Sequence, residues 1–391
     1  MKTLIVFSHL RWNFVFQRPQ HMLTRLAQHY QIIYVEEPMH TAALPYVQFE
    51  ALATGVSLLV THINDESWGF SDANIKVIGP MLVDWIGANA LDLSEGYGIM
   101  FYTPQALPLC EYFDPKVIVF DIMDELSLFK GAPPELKRLE TELMGIADVV
   151  IAGGPSLWKS KSAIRDDIIN LPSAVDASHF TPENALRLEV EKHVDDQLEH
   201  DIPHPRLGFF GVIDERLDVE LIEALADTDL KWHIVMVGPV VKIDPAVLPQ
   251  RPNIHWLGSQ SYDDLPMLVQ GWDVCLLPFA INDATKFISP TKTLEYMAGE
   301  KPVVSTNIHD VVELYAAGVK IGNTHEEFIA KVKGLLHESE VEAAMRRASQ
   351  VELVSHHSWD KAVEIVHQAI EDAVARKIIP ADSPYLDPMV L

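Results

Sequence analysis

Short apolar runs alternate with amphipathic stretches along most of the chain. This alternation is typical of a mostly parallel sheet flanked by helices, because a parallel strand that is buried on both faces is apolar throughout. The apolar runs of the first half predict strands over residues 3–8, 31–37, 75–79, 98–103, 116–122 and 148–154. Helical spacing between them predicts helices over residues 21–30 and 134–147.

A second series of the same kind begins near residue 206. Its apolar runs predict strands over residues 206–213, 231–238, 253–258, 273–280, 301–306 and 319–322. Its amphipathic stretches predict helices over residues 218–228, 263–271, 291–299 and 309–318. Two successive series of strands and helices predict an α/β protein with two doubly wound domains rather than one barrel.

The chain of 391 residues is longer than one hydrophobic core usually supports. We therefore expect an N-terminal domain over residues 1–180 and a C-terminal domain over residues 206–355. The stretch 181–205 is acidic and carries two prolines at its end, which is typical of a connection between domains. Residues 356–391 are expected to form a C-terminal helix and tail, and the helix over residues 358–378 to complete the N-terminal domain.

Two facing doubly wound domains create a cleft between the carboxyl ends of their sheets. Ligands bind at such edges because loops and helix N-termini converge there. The pattern alone thus predicts an enzyme or a binding protein with a cleft, and particular residues must supply the chemistry.

Composition narrows the class of protein. Apolar residues make up 48% of the chain and the mean hydropathy is +0.08, as in soluble globular proteins. No apolar run is long enough to span a membrane, and the opening run is too short for a signal peptide, so a buried first strand explains it better. Cys110 and Cys275 lie far apart in apolar settings, which indicates buried thiols in a reducing compartment and predicts a cytoplasmic protein.

The formal net charge of −26 repels nucleic acid backbones and anionic lipid headgroups. We therefore expect no nucleic acid partner and at most a peripheral contact with membranes. The first 35 residues differ from the rest, because they contain Lys2, Arg11, Arg18 and Arg25 and no acidic residue. These cations either form a solvated face or meet an anionic ligand or acceptor.

Residues 278–306 are the most informative segment of the chain. Ser289 and Pro290 are typical of a helix start, since proline fits the first turn. Unpaired N–H groups at such a start attract phosphate, and Lys292 lies in the same turn. Glu295 follows three residues later, where its carboxylate can accept two hydrogen bonds from a ribose diol. The alternative is a capped surface helix with a Lys–Glu pair.

Residues 289–304 resemble the donor-binding segment of the GT-B glycosyltransferases, in particular the retaining enzymes of family 4. The runs between residues 253 and 278 resemble, in order and spacing, the strand, loop and strand that precede this segment in the family. Residues 7–27 and 120–127 resemble a bacterial branch of these enzymes that assembles polysaccharides or surface glycans. The resemblance implies the GT-B fold, in which two Rossmann-like domains face each other across a cleft.

The resemblance also implies roles for residues of the C-terminal domain. Glu295 corresponds to the second acid of the family's E-x7-E motif and would bind the nucleotide ribose. Lys292 would bind the diphosphate together with the backbone of Pro290 and Thr291. The residues that would contact the base, through their backbone groups, are Gly258, Ser259 and Gln260.

Two further cations are candidates for neutralising the donor phosphates. Arg216 lies near the position where the family has a basic residue after the first C-terminal strand. Pairing of Arg216 with Asp214 or Asp218 on the surface is an equal alternative. Lys286 is the second candidate for the phosphate role.

Two features depart from the family pattern. The first acid of the E-x7-E motif would fall at Phe287, which cannot contact sugar hydroxyls as an acid does. The polar neighbours that would replace it are Asn282, Asp283 and Thr285. The opening loop lacks the usual Gly-Gly pair, so the side chains of Gln17, Arg18 and His21 are expected to bind the acceptor.

The strand over residues 116–122 provides the candidates for a role near the reacting carbon. Related enzymes often carry a histidine at the end of this strand, and the matching position here is Asp121, with Asp124 three residues later. A carboxylate at this edge can orient the acceptor hydroxyl or stabilise a developing oxocarbenium ion. The alternative for both residues is a structural cap of the helix that follows.

The expected reaction is transfer of a sugar from a nucleoside-diphosphate sugar, with UDP or GDP favoured, to a glycan or lipid-linked acceptor. The resemblance implies retention of anomeric configuration, no metal and no cofactor beyond this co-substrate. Two alternatives stay open: a nucleotide-sugar 2-epimerase, and a non-catalytic GT-B protein that binds nucleotide or glycan within a glycan-assembly complex. No Gly-x-Ser-x-Gly, Walker or Gly-x-Gly-x-x-Gly motif is present, which disfavours hydrolases, NTPases and dehydrogenases.

Overall fold

The computed structural model describes residues 1–89, 93, 95–191 and 201–378. These residues form two sheets, one in each half of the chain. The strands of the N-terminal sheet are β1 (Thr3–Ser8), β2 (Gln31–Glu36), β3 (Met39–His40), β4 (Tyr46–Ala51), β5 (Val56–Ile63), β6 (Tyr97–Phe101), β7 (Val117–Ile122), β8 (Val149–Ala152) and β9 (Ile169–Asn170). The strands of the C-terminal sheet are β10 (Arg206–Phe210), β11 (His233–Val237), β12 (Ile254–Gly258), β13 (Val274–Leu277), β14 (Val303–Thr306) and β15 (Lys320–Gly322).

Both sheets are doubly wound. The N-terminal order is β3-β5-β2-β1-β6-β7-β8-β9, and the edge strand β4 pairs antiparallel with β5. The C-terminal order is β12-β11-β10-β13-β14-β15, with every pair parallel. In each sheet the first strand lies centrally, so the chain changes direction there and its loops meet at the carboxyl edge.

Helices cover both sheets. In the N-terminal half they are α1 (Arg18–Leu26), α2 (Asp72–Ala88), α3 (Leu136–Ile146), α4 (Pro155–Lys161), α5 (Ala177–Phe180) and α6 (Pro182–Glu191). In the C-terminal half they are α7 (Val219–Thr228), α8 (Leu265–Gln270), α9 (Lys292–Ala298), α10 (His309–Tyr315), α11 (His325–Leu336), α12 (Glu340–Ser355) and α13 (Trp359–Ile378). No helix among the residues described above is long and apolar enough to cross a membrane.

The N-terminal sheet has a core on each face, as the period-2 geometry of strands requires. Leu4 and Val6 of β1 point into one core, and Ile5 and Phe7 point into the other. Helix α13 returns from the end of the chain to the first of these cores, where it packs against α1. The C-terminal helix therefore lies on the N-terminal sheet.

The connection between the sheets is partly helical. Helix α6 begins inside the predicted linker 181–205 and packs against α8 of the C-terminal half. Residues 192–200 of that linker, and residues 379–391 of the predicted tail, lie outside the described residues.

One predicted strand is wrong. Residues 75–79 lie inside α2, whose first turn is capped by Ser71, the side chain of which accepts the Asn74 N–H at 3.2 Å. Ile75, Ile78 and Leu82 are buried on one face of this helix, at helical spacing. A short apolar run fits the two-residue period of a strand as well as the 3.6-residue period of a helix. The helix cap at Ser71 is the sequence signal that favours the helix. The strands β3, β4 and β5 and the helices α11 and α12 were not predicted.

Candidate active site

A cavity of about 480 Å³ lies between the two halves, at the carboxyl ends of both sheets. Residues 12–18, which follow β1, and Asp124, which follows β7, form its N-terminal wall. Its C-terminal wall consists of the loops after β10, β11 and β12 and of the segment 288–292, with Glu295. This is where the loops of two doubly wound sheets converge.

Two glycines shape the C-terminal wall. Gly211 and Gly238 have φ values of 138° and 141°, which other residues rarely adopt. A Cβ on Gly238 would lie 1.9 Å from the carbonyl oxygen of Gly211, and one on Gly211 would lie 2.8 Å from Cε of Lys292. The glycines therefore bring the two loops together and leave room for the lysine side chain.

Lys292 lies at the start of α9 and lines the cavity. Its Nζ is 5.4 Å from the ring centroid of Phe209 and 5.3 Å from that of Phe279. Among the described residues it forms no hydrogen bond and no ion pair. Burial, together with the positive charge of Arg216, lowers the pKa of Lys292 to about 8. The ammonium is held in place by aromatic rings, without an anionic partner in contact.

Glu295 lies one turn further along α9, where it is 5% exposed and lines the cavity. Burial raises its pKa to about 7, although nearby Lys292 opposes that shift. Its carboxyl group makes no hydrogen bond to any residue that the structure describes. The hydroxyl groups of Ser289 and Tyr262, which also line the cavity, are likewise buried without a partner. Buried polar groups of this kind need partners, and a ligand rich in hydroxyl groups would supply them.

Arg216 lines the cavity while pairing with its neighbour Asp214. The guanidinium donates to both carboxylate oxygens, at 3.0 Å from Nε to Oδ1 and 2.7 Å from Nη2 to Oδ2. The pairing with Asp214 that the sequence left open is thus present. Asp218 is used elsewhere, because it accepts from the Leu221 N–H at 2.9 Å and lies 2.8 Å from Nε2 of His325.

The two candidate carboxylates of the N-terminal half lie in different places. Asp124 lines the cavity, and burial raises its pKa while the Arg216 charge opposes the shift. Asp121 is fully buried and does not line the cavity. It accepts hydrogen bonds from Arg18, at 2.9 Å from Nε and 3.0 Å from Nη2. Neither residue caps the turn that follows, which begins after Glu125.

The other predicted site residues divide into two groups. Those that line the cavity are Gln17, Arg18, Ser259, Gln260, Pro290 and Thr291. Those that do not are Gly258, Asn282, Lys286 and His21. Asn282 holds its own loop through the Thr285 N–H, at 3.1 Å. Lys286 lies over the ring of Phe287, 5.2 Å from its centroid.

An aromatic stack that was not predicted joins the two walls. The Phe16 ring lies 4.4 Å from that of Tyr262, and His179 stacks on Tyr262 at 4.3 Å. His21 packs at 4.8 Å against Trp359 of α13, and burial lowers the pKa of His21 to about 3, so the imidazole is neutral. The aromatic residues of the opening loop were the signal for this contact.

The cations of the first 35 residues are all paired with acids. Lys2 pairs with Glu95, Arg11 with Glu36, Arg18 with Asp121, and Arg25 with Asp176 and Asp360. These acids come from later in the chain, which is why the sequence of this region alone suggested an excess of positive charge. The N-terminal cations are thus compensated within the protein rather than kept for an anionic ligand.

The C-terminal half has recognisable relatives. Residues 204–338, which include Arg216, Lys292 and Glu295, match the family described as Glycosyl transferases group 1. A protein of Bacillus subtilis (strain 168) that is named as a teichuronic acid biosynthesis glycosyltransferase, TuaH, is 28% identical over 149 residues. That alignment covers 36% of this chain and 38% of TuaH, so the two match over less than half of either length.

Solved structures match over nearly the whole chain. An α,α-trehalose-phosphate synthase (UDP-forming) from Burkholderia vietnamiensis has a TM-score of 0.69 at 12% identity, covering 96% of this chain and 99% of that chain. A sucrose-phosphate synthase from Thermosynechococcus elongatus has a TM-score of 0.71 at 11% identity, over 96% and 100% of the two chains. HepE from Anabaena, in complex with UDP, has a TM-score of 0.64 at 15% identity, over 95% and 100%.

Together the two kinds of likeness establish the fold of the chain and a family match for part of its C-terminal half. At such low identities the structural matches show the fold alone, and they confirm the expected arrangement of two Rossmann-like domains. The family match covers the domain that contains Lys292 and Glu295. The chain has the GT-B fold, and its residues 204–338 match the glycosyl transferases group 1 family.

Proposed function

We propose that this protein transfers a sugar from a nucleoside-diphosphate sugar to a glycan or lipid-linked acceptor. The observation that supports this most strongly is Lys292, a half-buried lysine whose ammonium contacts no carboxylate among the described residues, beside the buried carboxyl group of Glu295. A diphosphate would provide the missing anion, and a ribose diol would provide hydrogen bonds to Glu295. Both groups occur together in a nucleoside-diphosphate sugar.

The C-terminal wall of the cavity promotes departure of the nucleoside diphosphate. Negative charge increases on the leaving diphosphate as the glycosidic bond breaks. Lys292 stabilises this charge without having to break an existing ion pair, and the aromatic rings on both sides hold it in place. Arg216 adds a second cation, whose position Asp214 fixes.

On the N-terminal wall, the proposal gives the two carboxylates different roles. Asp124 faces the cavity and is the candidate for orienting the acceptor hydroxyl. Asp121 is a positioning residue, because its contacts are with Arg18, which lines the cavity. Retention of configuration is part of the proposal through the family resemblance alone.

UDP is the favoured nucleotide of this proposal. The trehalose-phosphate synthase is named as UDP-forming, and HepE was solved with UDP. The resemblance to family 4 also allows GDP. Neither a metal nor a further cofactor is part of the proposal, and the cytoplasmic location stays a prediction.

A thermal-shift panel tests the donor site. The panel consists of UDP, GDP, ADP and TDP. We expect UDP to raise the melting temperature in a saturable way, because a ligand that binds only the folded state stabilises it. The shift should be lost in Glu295→Ala and kept in Glu313→Ala, an exposed acid on α10 outside the cavity. If no nucleotide or nucleotide sugar shifts the wild-type protein, the proposed function is wrong.

A second candidate function is nucleotide or glycan binding without turnover. Phe287 favours it, because this residue takes the place of the first acid of E-x7-E and packs against the core of the N-terminal domain. Such a protein would bind UDP in the thermal panel but release no UDP from a UDP-sugar with any acceptor. Measuring UDP release therefore separates the two candidates.

A further inference from the structure

The N-terminal wall of the cavity presents aromatic side chains to the space beside the donor site. Phe14 is 49% exposed and Phe16 is 40% exposed, and both line the cavity. Phe16 stacks on Tyr262 across the cavity, whereas Phe14 has no aromatic partner among the described residues. Exposed aromatic rings within a cavity are a common mark of a binding site.

The loop that carries these rings is firmly held. The Trp12 N–H donates to Glu36 Oε1 at 2.8 Å, and the side-chain amide of Gln20 donates to the carbonyl groups of Trp12 at 2.7 Å and Val15 at 3.1 Å. Trp12 itself is buried and packs edge-on against Tyr34, at 5.0 Å. The exposure of Phe14 is therefore a fixed feature of a loop that is anchored on both sides of it.

Charge distinguishes this wall from the opposite one. Arg18 is the cation of this loop that lines the cavity, and its charge is compensated by Asp121. Asn13 and Gln17 line the cavity beside Phe14 and are uncharged amides, and Asp124 is the acid nearby. Among the described residues, this loop therefore offers no cation without a paired acid, and an anionic acceptor would gain no ion pair from it.

We propose that this wall binds the acceptor as an uncharged sugar ring stacked on Phe14. The C–H face of a pyranose is apolar and slightly positive, which suits the negative face of an aromatic ring. The amides of Asn13 and Gln17 both donate and accept hydrogen bonds, as sugar hydroxyl groups do. An alkyl chain would leave these amides without partners, so the structure favours a sugar over a lipid. The inference rests on the proposed function and adds the class of acceptor.

Saturation-transfer NMR in the presence of UDP tests this directly. The probes are methyl glycosides of glucose, galactose and N-acetylglucosamine, compared with methyl glucuronide and glucose 6-phosphate. We expect transfer to the ring protons of at least one neutral glycoside and weaker or no transfer to the anionic sugars. Binding of that glycoside should be about 3- to 10-fold weaker in Phe14→Ala, the range that aromatic stacking supports, and largely kept in Phe14→Tyr.

Trp68→Ala is the matched control, because Trp68 is 79% exposed but does not line the cavity. It should leave glycoside binding unchanged. The inference is wrong if the anionic sugars bind as well as the neutral ones, if Phe14→Ala binds like the wild type, or if no neutral glycoside binds. It is also wrong if octyl glucoside shows transfer to its alkyl protons alone, which would indicate a lipid site. If the wild-type protein does not bind UDP, the proposed function is contradicted instead.

Discussion

Lys292 and Arg18, one on each wall of the cavity, differ in whether an acid pairs with them. On the C-terminal wall, Lys292 is surrounded by aromatic rings and pairs with no acid among the described residues. On the N-terminal wall, Arg18 is buried and has a carboxylate, Asp121, that accepts its hydrogen bonds. A cation without a partner is costly to bury, so it is retained where a ligand will pair with it. The buried pair of Arg18 with Asp121 instead stabilises the structure.

This contrast explains why the distribution of charge along the sequence is a poor guide to the position of an anion site. Residues 1–35 contain Lys and Arg but no Asp or Glu, whereas the sequence of the C-terminal wall has acidic residues beside its basic ones. The N-terminal cations find their acids through the fold, at sequence distances as large as the 335 residues between Arg25 and Asp360. Local charge therefore predicts an anion site at the wall that does not have one.

The largest expected effect comes from breaking the N-terminal pair. Asp121→Ala leaves the Arg18 guanidinium buried and unpaired, which should lower the free energy of unfolding by about 3–5 kcal/mol. Urea unfolding measures this. Glu142→Ala, which removes the exposed pair with Arg138, is the control and should cost at most about 0.5 kcal/mol. Equal effects of the two changes would show that the buried pair has no special structural role.

Lys292→Met should act in the opposite direction on stability. It removes a half-buried charge without breaking an ion pair, so the melting temperature of the free protein should rise. UDP affinity should fall about 10- to 150-fold, the loss expected for one charge-assisted hydrogen bond. Calorimetry gives both values, and Lys286→Met, an exposed cation outside the cavity, should change neither. A fall in melting temperature would mean that Lys292 is paired in solution.

The pH dependence of UDP binding sharpens the same contrast. The pKa of Lys292 in the free protein, about 8, lies below the value of about 10.4 in an unfolded chain. UDP binds the protonated ammonium, so affinity should decrease above pH 8, by at most about tenfold per pH unit for one proton. Titration calorimetry between pH 7 and 9.5 measures the slope. In Lys292→Met the slope should disappear, and if it persists, another group is responsible.

Glu295 and Lys292 on the C-terminal wall also make the free energy of unfolding depend on pH. The pKa of Glu295 is raised, so its contribution to stability is present at low pH and is lost as the pH rises through about 7. For Lys292, the unfolded chain binds more protons above pH 8, so stability increases there. Relative to Glu295→Gln/Lys292→Met, the wild type should therefore be least stable between pH 7 and 8. Urea unfolding from about pH 4 to about pH 10 measures this difference, and a difference that is flat over the whole range would contradict the account.

The smallest expected effect concerns the contact that joins the walls. Phe16→Ala removes the stack with Tyr262, and a double-mutant cycle with Tyr262→Ala should give a coupling energy of about 0.5–1.5 kcal/mol. The free energy of unfolding of the free protein is the quantity to compare. A coupling energy of zero would mean that the stack does not form in solution.

Much of the fold could be predicted because buried parallel strands leave a clear pattern. All six strands of the C-terminal sheet and most central strands of the N-terminal sheet coincide with predicted apolar runs. Residues 75–79 were misassigned because five residues are too few to show a helical period. The edge strand β4 is largely exposed, so it lacks the apolar run that reveals a central strand.

Lys292 and Glu295 could be predicted as neighbours because they are close in sequence. Lys292 and Glu295 lie one turn apart, and the structure places both in the cavity. The pairing of Arg18 with Asp121 depends on where α1 lies relative to β7 in the fold, which no local pattern contains. The stack of Phe16 on Tyr262 likewise depends on how the two domains meet.

The most direct test of the contrast between the walls is the pKa of Lys292 itself. NMR of ¹³C-methylated lysines, with the signal assigned by Lys292→Arg, gives this value with and without UDP. The account predicts a pKa of about 8 in the free protein and a clear rise when UDP binds, because the diphosphate supplies the missing anion. An ordinary lysine pKa in the free protein, unchanged by UDP, would contradict it.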